Sequence, residues 1–354
     1  MMPFGRKSKP LIGLDISSSA VKLVELSRQG NSFRVEAYAA EGMPAGAINE
    51  KSIVDVDAAA EAVRRTVKRA GTKVKNAAIA IGGAAVITKV ITMPGNLKDA
   101  EMGEQIEMQA DQYIPFPLEE VSYDYEIMGP SRGDGDLVDV LLAATRSENV
   151  EQRQAVLDAA GLTAKVVDIE AYALENACRL LTWQMPDLGV ERTIAIVDFG
   201  ATTTTFSVLN DLRIIYTRDQ AFGGRQLTEE IMRHYGLNFE EAGKAKKHGG
   251  LPDSYNEELL NPFMEDMAQQ VNRSLQFFLS SNSDYETLDQ VIICGGCSAI
   301  KGVDDLIAER TGVPTLVGNP FGEMKVSSGA KAQLAESDAG ALMIACGLAL
   351  RSFD

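Results

Sequence analysis

One acidic residue in the middle of the chain, Asp198, stands where an apolar strand pattern turns into a run of small and hydroxyl side chains, within residues 193–209. A carboxylate in such a place can hold a hydrated magnesium ion, because Mg²⁺ keeps most of its waters and needs only one or two carboxylates besides phosphate oxygens. The backbone amides around Gly200, Ala201 and Thr202 can form a concave nest for an anion. This hairpin therefore predicts a site for a magnesium-bound phosphate group.

The same pattern occurs near the N-terminus, within residues 11–25. An apolar strand ends at Asp15, one apolar residue follows, and a hydroxyl-rich turn from Ser17 to Ser19 leads into an outgoing strand. One such hairpin is weak evidence, since glycine, serine and threonine mark ordinary turns. Two hairpins in register on their acidic residues predict a duplicated domain that grips a phosphate tail between its halves.

Composition excludes several classes of protein. The chain has 354 residues, of which 45% are hydrophobic and 24% charged, so it is long enough for two domains with their own cores. Its formal net charge of −16 argues against a nucleic-acid binder and against binding to anionic lipid by charge alone. The two histidines, His234 and His248, have no metal-ligand spacing around them and are predicted to be surface residues.

The chain is predicted to stay in the cytoplasm and not to insert into a membrane. No apolar run approaches the length of a membrane span, and the first nine residues lack the apolar segment of a secretory signal. Four cysteines in apolar or helical surroundings fit reduced thiols. The spacing Cys294-Gly-Gly-Cys297 also matches a redox or zinc motif, but without a second ligand pair a coincidence within a glycine turn is preferred.

Residues 84–163 are predicted to form an inserted module with the order strand, helix, strand, strand, followed by a second helix at Asn149–Ala160. Within it, the prolines of Tyr113–Pro117 must end the first helix, because proline lacks a backbone donor and fixes φ. This apolar stretch has two interpretations of about equal weight. It either docks a partner or packs against the sheet of the module.

A third motif lies within Gln290–Gly302, where a buried strand opens through Gly295 and Gly296 toward a helix. Glycines at this point let a flat ligand approach the backbone. The three motifs, in this order, resemble those of the actin, Hsp70 and sugar-kinase superfamily. The inserted module is similar to that of the cell-division protein FtsA, and residues 15–26, 113–117 and 345–351 resemble the PilM family of type IV pilus assembly proteins.

The resemblance covers nearly the whole chain and implies an α/β, duplicated actin-like ATPase fold, with two lobes around a nucleotide cleft and an inserted module of the SHS2 type. The boundaries that it implies are 1–83, 164–190 and 336–354 for lobe 1A, 84–163 for the module (1C), 191–225 and 286–335 for lobe 2A, and 226–285 for the helical lobe 2B.

The resemblance also implies ATP and Mg²⁺ as cofactors, with Asp15 and Asp198 in the magnesium shell. It places Glu170 where related ATPases keep a residue that orients the attacking water. The nucleotide contacts that it implies on the phosphate sides are Ser17, Ser18, Ser19, Lys22, Gly200, Ala201, Thr202 and Thr203. In the cleft and on the adenosine side they are Gly223, Gly224, Lys246, Gly295, Gly296 and Ser298.

Three departures from the superfamily pattern bear on activity. Ser17 and Ala201 stand where relatives often have glycine, which narrows the space for phosphate oxygens and argues against rapid hydrolysis. Lys246 keeps the lysine of a Glu-x-x-Lys element that reaches the nucleoside, but Gly243 replaces its glutamate. One adenosine contact is therefore missing, and we expect weaker ATP binding than in relatives.

Membership of the PilM family would imply an ATP-binding scaffold that binds the N-terminal cytoplasmic tail of the inner-membrane protein PilN, in a groove between the first lobe and the inserted module. This partner would hold the chain at the inner membrane, and contact with the pilus motor ATPases is plausible from family context. The alternative is a phosphotransferase or ATPase of the same superfamily with a different partner, such as an FtsA-like cell-division protein. No candidate substrate base is found beyond Asp15 and Asp198.

Overall fold

This computed structural model describes residues 10–30, 32–49, 51–131, 136–331 and 338–354. The first nine residues, which bear on the predicted absence of a secretory signal, lie outside the described residues, as do residues 336 and 337 of the predicted lobe 1A. In the described part, every helix is too short or too polar to cross a bilayer.

The strands of the described residues are spread over the whole chain. In the first half they are β1 (Ile12–Ile16), β2 (Ala20–Gln29), β3 (Ser32–Gly42), β4 (Ile48–Asn49), β5 (Ser52–Ile53), β6 (Asn76–Ile81), β7 (Val86–Pro94), β8 (Val121–Pro130), β9 (Leu137–Arg146) and β10 (Thr163–Ile169). In the second half they are β11 (Thr193–Phe199), β12 (Thr204–Asn210), β13 (Arg213–Gln220), β14 (Gln290–Cys294), β15 (Thr315–Val317) and β16 (Lys325–Val326).

The α-helices of the described residues follow the same chain order. They are α1 (Val56–Ala70), α2 (Asp99–Gln109), α3 (Ser147–Ala159), α4 (Glu170–Cys178), α5 (Gly224–Tyr235), α6 (Phe239–His248), α7 (Asn261–Ser281), α8 (Val303–Thr311), α9 (Ser328–Lys331) and α10 (Met343–Leu350). Helix α4 ends at Cys178, and 3₁₀ turns flank α10 on both sides.

The two large sheets repeat one topology, which confirms the predicted duplication. The first has the order β10-β6-β1-β2-β3-β16, and the second has β13-β12-β11-β14-β15. In each, three consecutive strands form an antiparallel meander, and the first strand of the meander pairs in parallel with a later strand. Strands β1 and β11 therefore occupy equivalent central positions, and their carboxyl ends lie at equivalent places in the two sheets.

Two helices lie between the sheets and join the lobes. Helix α4 packs against the second sheet in one core with Ile194, Ile196 and Ile292, and its Ala173 packs with Ala78 of the first sheet. Helix α10 packs against the first sheet, in one core with Val24 and Val35. The helices are in contact with each other, so any change in the angle between the lobes must be accommodated at this helix pair.

The inserted module is a three-stranded sheet with the order β7-β9-β8, and α2 covers one face. Helix α3 also lies within the predicted bounds 84–163, but its Val156 and Leu157 pack with Val63 of α1 in the core of the first lobe. By packing, α3 therefore belongs with the first lobe, because its apolar residues have no share in the core of the module. The domain boundaries as a whole remain predictions.

Candidate functional site

The hairpin β1–β2 carries the first acidic residue of the predicted site. Asp15, on β1, is buried, and it lies opposite Lys22 of β2, whose Nζ is 2.9 Å from Asp15 Oδ2. The turn is closed by Ser17, whose backbone N–H and hydroxyl both donate to Ala20 O. Ser17 thus serves the turn itself. The other residues of this turn that are predicted to contact phosphate are Ser18, which is partly buried, and Ser19, which is exposed.

The hairpin β11–β12 presents the second acidic residue in the equivalent place. Asp198 is the penultimate residue of β11, and the turn after it is narrowed by a bond from Gly200 N to Thr203 O of 3.0 Å. Ala201, Thr202 and Thr203 are partly buried at this turn. The backbone of the predicted phosphate nest is therefore fixed before any ligand binds.

The glycine pair before α5 packs directly onto this turn. Gly224 N donates to Gly200 O at 3.0 Å, and a Cβ added to Gly223 would lie 2.5 Å from Ala201 O. Any side chain at Gly223 would therefore push the two backbones apart. The sequence assigns the pair to the ligand, whereas the structure gives it a packing role that sets the N-terminus of α5 beside the phosphate nest.

Asp15 and Asp198 face a common cleft. Burial raises the pKa of Asp198 to about 6, the charges of Asp15 and Glu170 add to the rise, and Lys22 and Lys51 partly offset it. For Lys22, burial lowers the pKa, but Asp15 and Asp198 reverse this effect and leave it above its ordinary value. The two carboxylates and the two lysines therefore lie near enough for their charges to interact in a poorly solvated space. The structure therefore brings the predicted magnesium ligands together.

The third motif closes the same cleft from the side of β14. Gly295 has a φ of 82°, and a Cβ on it would lie 2.3 Å from Asp198 Oδ1, so only glycine fits. Ser298 is buried, and its hydroxyl donates to Gly295 O at 2.8 Å, which makes it part of the turn. Gly296 differs, because a Cβ there would meet none of the described residues within 4 Å. Gly296 thus borders open space beside the magnesium-side carboxylate.

Lys246 lies at the far side of the cleft, on α6. Its ammonium donates to Gly224 O at 2.8 Å and to Thr228 Oγ1 at 2.6 Å, and burial lowers its pKa. Lys246 therefore fastens α6 to the start of α5. Its predicted contact with the nucleoside remains a prediction.

The Cys-x-x-Cys spacing produces two separated thiols. Cys294 lies in the core beneath β11 and Cys297 beside Lys246, and both are buried and free. Burial raises the pKa of Cys297 to about 11 and that of Cys294 well above its ordinary value. Both sulfurs are therefore protonated at neutral pH and are weak nucleophiles.

An ion network that the sequence motifs do not reveal crosses the cleft. Glu170, at the start of α4, binds Lys51 with 2.6 Å between Oε2 and Nζ, and Lys51 Nζ is 3.9 Å from Asp219 Oδ2 on β13. Asp219 in turn accepts a hydrogen bond from Thr205 of the second hairpin. Asp219 could have been suspected, since it lies one residue from the end of its strand. Lys51 carries no local signal, because it lies in a polar turn between two short strands.

A buried arginine holds the backbone of Lys51 in this network. Arg153 of α3 donates to Ala80 O at 2.9 Å and to Lys51 O at 3.0 Å, and burial lowers its pKa while the charges of Glu170 and Asp15 raise it. Because both contacts go to backbone carbonyls, Arg153 fixes where the turn at Lys51 sits relative to the end of β6.

A groove of about 300 Å³ separates the first lobe from the inserted module. Tyr172 of α4 lies beside Thr88 of the module, and burial raises the pKa of the Tyr172 hydroxyl. Asp168, in the wall of the groove, pairs with Arg351 through two hydrogen bonds of 2.7 and 3.1 Å. The groove is lined by Ile81, Val86, Ser122, Tyr123, Asp124, Tyr125, Glu126, Leu141, Ala143, Ala144, Thr145, Val150, Val167, Asp168, Ile169 and Tyr172.

The proline-rich stretch 113–117 packs within the module. Ile114 is buried in the core of the module, and Arg146 of β9 covers the ring of Phe116 with 4.4 Å from its guanidinium carbon to the ring centroid. Of the two interpretations, the structure supports packing against the sheet.

The family of the chain follows from comparison with known proteins. Residues 13–353 match the family model described as "Type IV pilus assembly protein PilM". The chain belongs to the PilM family. A solved structure described as a "PilM-PilN type IV pilus biogenesis complex" contains a chain 27% identical to this one, with a TM-score of 0.80 over 99% of this chain and 100% of that chain.

More distant relatives of this PilM-family chain share its fold. FtsA of Bacillus subtilis (strain 168) is 22% identical over 261 residues, which are 68% of this chain and 58% of FtsA, so the match spans little more than half of that relative. The ethanolamine utilization protein EutJ of Carboxydothermus hydrogenoformans is 20% identical, with a TM-score of 0.57 over 96% of this chain and 89% of that chain. The predicted two-lobe, actin-like fold is thereby confirmed.

Proposed function

We propose that this chain is a cytoplasmic ATP-binding scaffold of the type IV pilus assembly machinery, with slow or no ATP turnover of its own. The observation that carries the proposal is that Asp15 and Asp198 stand at matching places of the two duplicated halves, near enough for the charge of Asp15 to raise the pKa of Asp198. A ligand that bridges them would fix the angle between the lobes and so the shape of the surfaces that they present to partners.

The residues present fit a magnesium nucleotide. The two aspartates offer the oxygen ligands that Mg²⁺ takes through its waters, and the open space at Gly296 leaves room for a flat group beside them. Bound Mg²⁺ would neutralise phosphate charge that the acidic cleft would otherwise repel. Ser18, Ser19 and the turn 200–203 would donate to the phosphates, and Lys246 would contact the nucleoside from lobe 2.

Slow hydrolysis follows from how Glu170 is held. Its carboxylate is bound by Lys51 at 2.6 Å, so the group predicted to orient water already has a strong donor. Single-turnover measurement with labelled ATP tests this, and we expect turnover well below the roughly 1 to 10³ s⁻¹ that is typical of enzymes. Rapid turnover without a partner would favour the phosphotransferase or ATPase alternative.

The groove between the first lobe and the module is the proposed docking place for the N-terminal tail of PilN. Support comes from the PilM–PilN complex, whose chain matches this one over almost its whole length. The apolar wall at Leu141 and Ala143, with Asp124 and Glu126 beside it, suits an extended tail that carries apolar and basic side chains. PilN would then hold the chain at the inner membrane, and contact with the pilus motor ATPases is part of the same proposal.

Substituting Ala143→Trp should fill the groove and weaken binding of a PilN tail peptide at least about tenfold, because the tail loses the apolar wall that orders it. Fluorescence anisotropy with a labelled peptide measures this. Met108→Trp is the matched control, since Met108 is 78% exposed on α2, outside the groove lining. Equal peptide affinity in the two variants would contradict this location. Repeating the titration with and without ATP tests whether the nucleotide changes the groove.

Gly243→Glu should tighten ATP binding about threefold to tenfold, because the new carboxylate stands one helical turn before Lys246 on the same face of α6. A Cβ at Gly243 meets no atom within 4 Å, so the substitution causes no clash. Gly243→Ala separates the added contact from the gain in helix propensity. If both variants bind ATP equally in calorimetry, the glutamate makes no contact with the nucleoside.

A further inference from the structure

The Lys51 side chain bridges the two lobes at the magnesium side of the cleft. Its ammonium binds Glu170 of the first lobe at 2.6 Å and lies 3.9 Å from Asp219 of the second. The longer contact is outside the range of about 2.7–3.2 Å for a hydrogen bond, so it costs little to break. All three side chains keep some exposure, at 23% for Lys51, 21% for Glu170 and 33% for Asp219.

The backbone of Lys51 is fixed, whereas its ammonium keeps some exposure and a long contact to Asp219 that can be exchanged. Its carbonyl is held by the buried Arg153, and its stem passes Gly83, where an added Cβ would lie 3.0 Å from Lys51 Cδ. Gly82 makes the same room for Glu170, whose Oε2 would lie 2.0 Å from a Cβ there. The two glycines at 82–83 therefore leave the space through which the Lys51 and Glu170 side chains reach the cleft.

Three other cations near the cleft have fixed partners in the part of the chain that the structure describes. Lys22 is paired with Asp15 across a hairpin, Lys246 holds the start of α5, and Arg153 is bound to carbonyls. Lys51 differs from these three, because it has a long, exchangeable contact to the opposite lobe and its charge lowers the pKa of Asp198. A terminal phosphate brought to the two aspartates would enter the space that Lys51 already faces.

We propose that Lys51 reads the terminal phosphate of a bound nucleoside triphosphate, exchanging its long contact with Asp219 for that phosphate while it stays beside Glu170. This inference rests on the proposed nucleotide binding. Asp219, fixed by Thr205, holds Lys51 toward lobe 2 when no phosphate is present. The exchange makes the contact between the lobes depend on whether the nucleotide carries a third phosphate, and so lets the scaffold distinguish ATP from ADP.

The test is calorimetric titration of Lys51→Met with Mg-ATP and with Mg-ADP. We expect the affinity for ATP to fall about tenfold or more and that for ADP to change less than about threefold, since a charge-assisted contact is lost only with the triphosphate. Lys68→Met, which removes an exposed lysine of α1, is the control and should change neither affinity.

A second variant, Asp219→Asn, should not lower the affinity for ATP as Lys51→Met does. Because Asp219 competes with phosphate for Lys51, its removal should leave ATP affinity unchanged or raise it a few-fold. Equal losses for ATP and ADP in both variants would show that Lys51 and Asp219 only brace the cleft, and would overturn the inference. Failure of the unaltered chain to bind either nucleotide would instead overturn the proposed function itself. The melting temperature of each variant without nucleotide confirms that it is folded.

Discussion

Replacing Asp198 by asparagine is expected to stabilise the nucleotide-free chain at neutral pH while abolishing magnesium-dependent nucleotide binding. The pKa of Asp198 is raised to about 6, chiefly by burial, so its charged form is less favourable in the folded chain than in water. Asparagine keeps the shape and removes the charge. It also removes one of the two carboxylates proposed to hold Mg²⁺. The neutral side chain therefore favours folding, whereas the carboxylate favours nucleotide binding.

The sign and size of this effect follow from proton linkage. A raised carboxyl pKa means that the folded chain binds the proton more tightly, so Asp198 costs stability above about pH 6 and the cost vanishes as the pH falls toward the unfolded value of about 4. About two pKa units correspond to at most about 3 kcal/mol at pH 7.5. Asp198→Asn should therefore gain up to this amount at pH 7.5 and much less near pH 4.5.

Urea denaturation of both proteins at the two pH values measures the difference, and Asp284→Asn, at an exposed position after α7, controls for the loss of net charge. A variant no more stable than the unaltered chain at pH 7.5 would contradict the electrostatic interpretation of the cleft. A variant that still binds Mg-ATP with unchanged affinity would contradict the assignment of Asp198 to the magnesium shell.

The equivalent places of Asp15 and Asp198 in the two halves could be predicted because they rest on local order. Each acidic residue ends an apolar strand before a small-residue turn, and duplication then forces equivalent strands to the same position in two similar sheets. The short strands β15 and β16 could not be predicted, since two or three residues carry no periodicity. They exist because a neighbouring strand offers unpaired backbone groups, which is a property of the assembled sheet.

Lys51 and Arg153 show what sequence reasoning could not reach. Arg153 lies 102 residues from Lys51 along the chain, and only the packing of α3 on the first lobe brings its guanidinium to the carbonyl of Lys51. The sequence places α3 in the module because this helix directly follows the last strand of the module. The side on which a helix buries its apolar residues depends on partners distant in sequence, and a single chain does not display them.

The glycines of the cleft show a second limit. Gly223 and Gly295 are predicted to contact the ligand, yet a side chain at either would strike the backbone of the hairpin β11–β12 or, at Gly295, the Asp198 side chain as well. In a duplicated fold, ligand contact and close backbone packing require glycine at the same positions, because the turns that hold phosphate must also lie against each other. Sequence identifies such glycines as necessary without saying which contact makes them so.

The crossing of the two helices between the sheets depends on one glycine. A Cβ at Gly347 of α10 would lie 1.7 Å from Ala173 O of α4, closer than any nonbonded contact allows. The helices cannot separate freely, because α4 is packed on the second sheet and α10 on the first. Gly347→Ala should therefore lower the free energy of unfolding by at least about 3 kcal/mol.

Gly243→Ala is the matched control, since it adds the same methyl group inside a helix where no atom lies within 4 Å, and it should raise the free energy of unfolding by about 0.5–1 kcal/mol. Urea denaturation of the two variants compares them directly. If Gly347→Ala lowers the free energy of unfolding by less than about 0.5 kcal/mol, the two helices can move apart with little loss of stability. The lobes would then be free to change their angle without a ligand, and a nucleotide would have little to fix. A large loss would indicate instead that the two helices are tightly packed where they cross. A change in the angle between the lobes on ligand binding would then move α4 and so alter the groove that borders it.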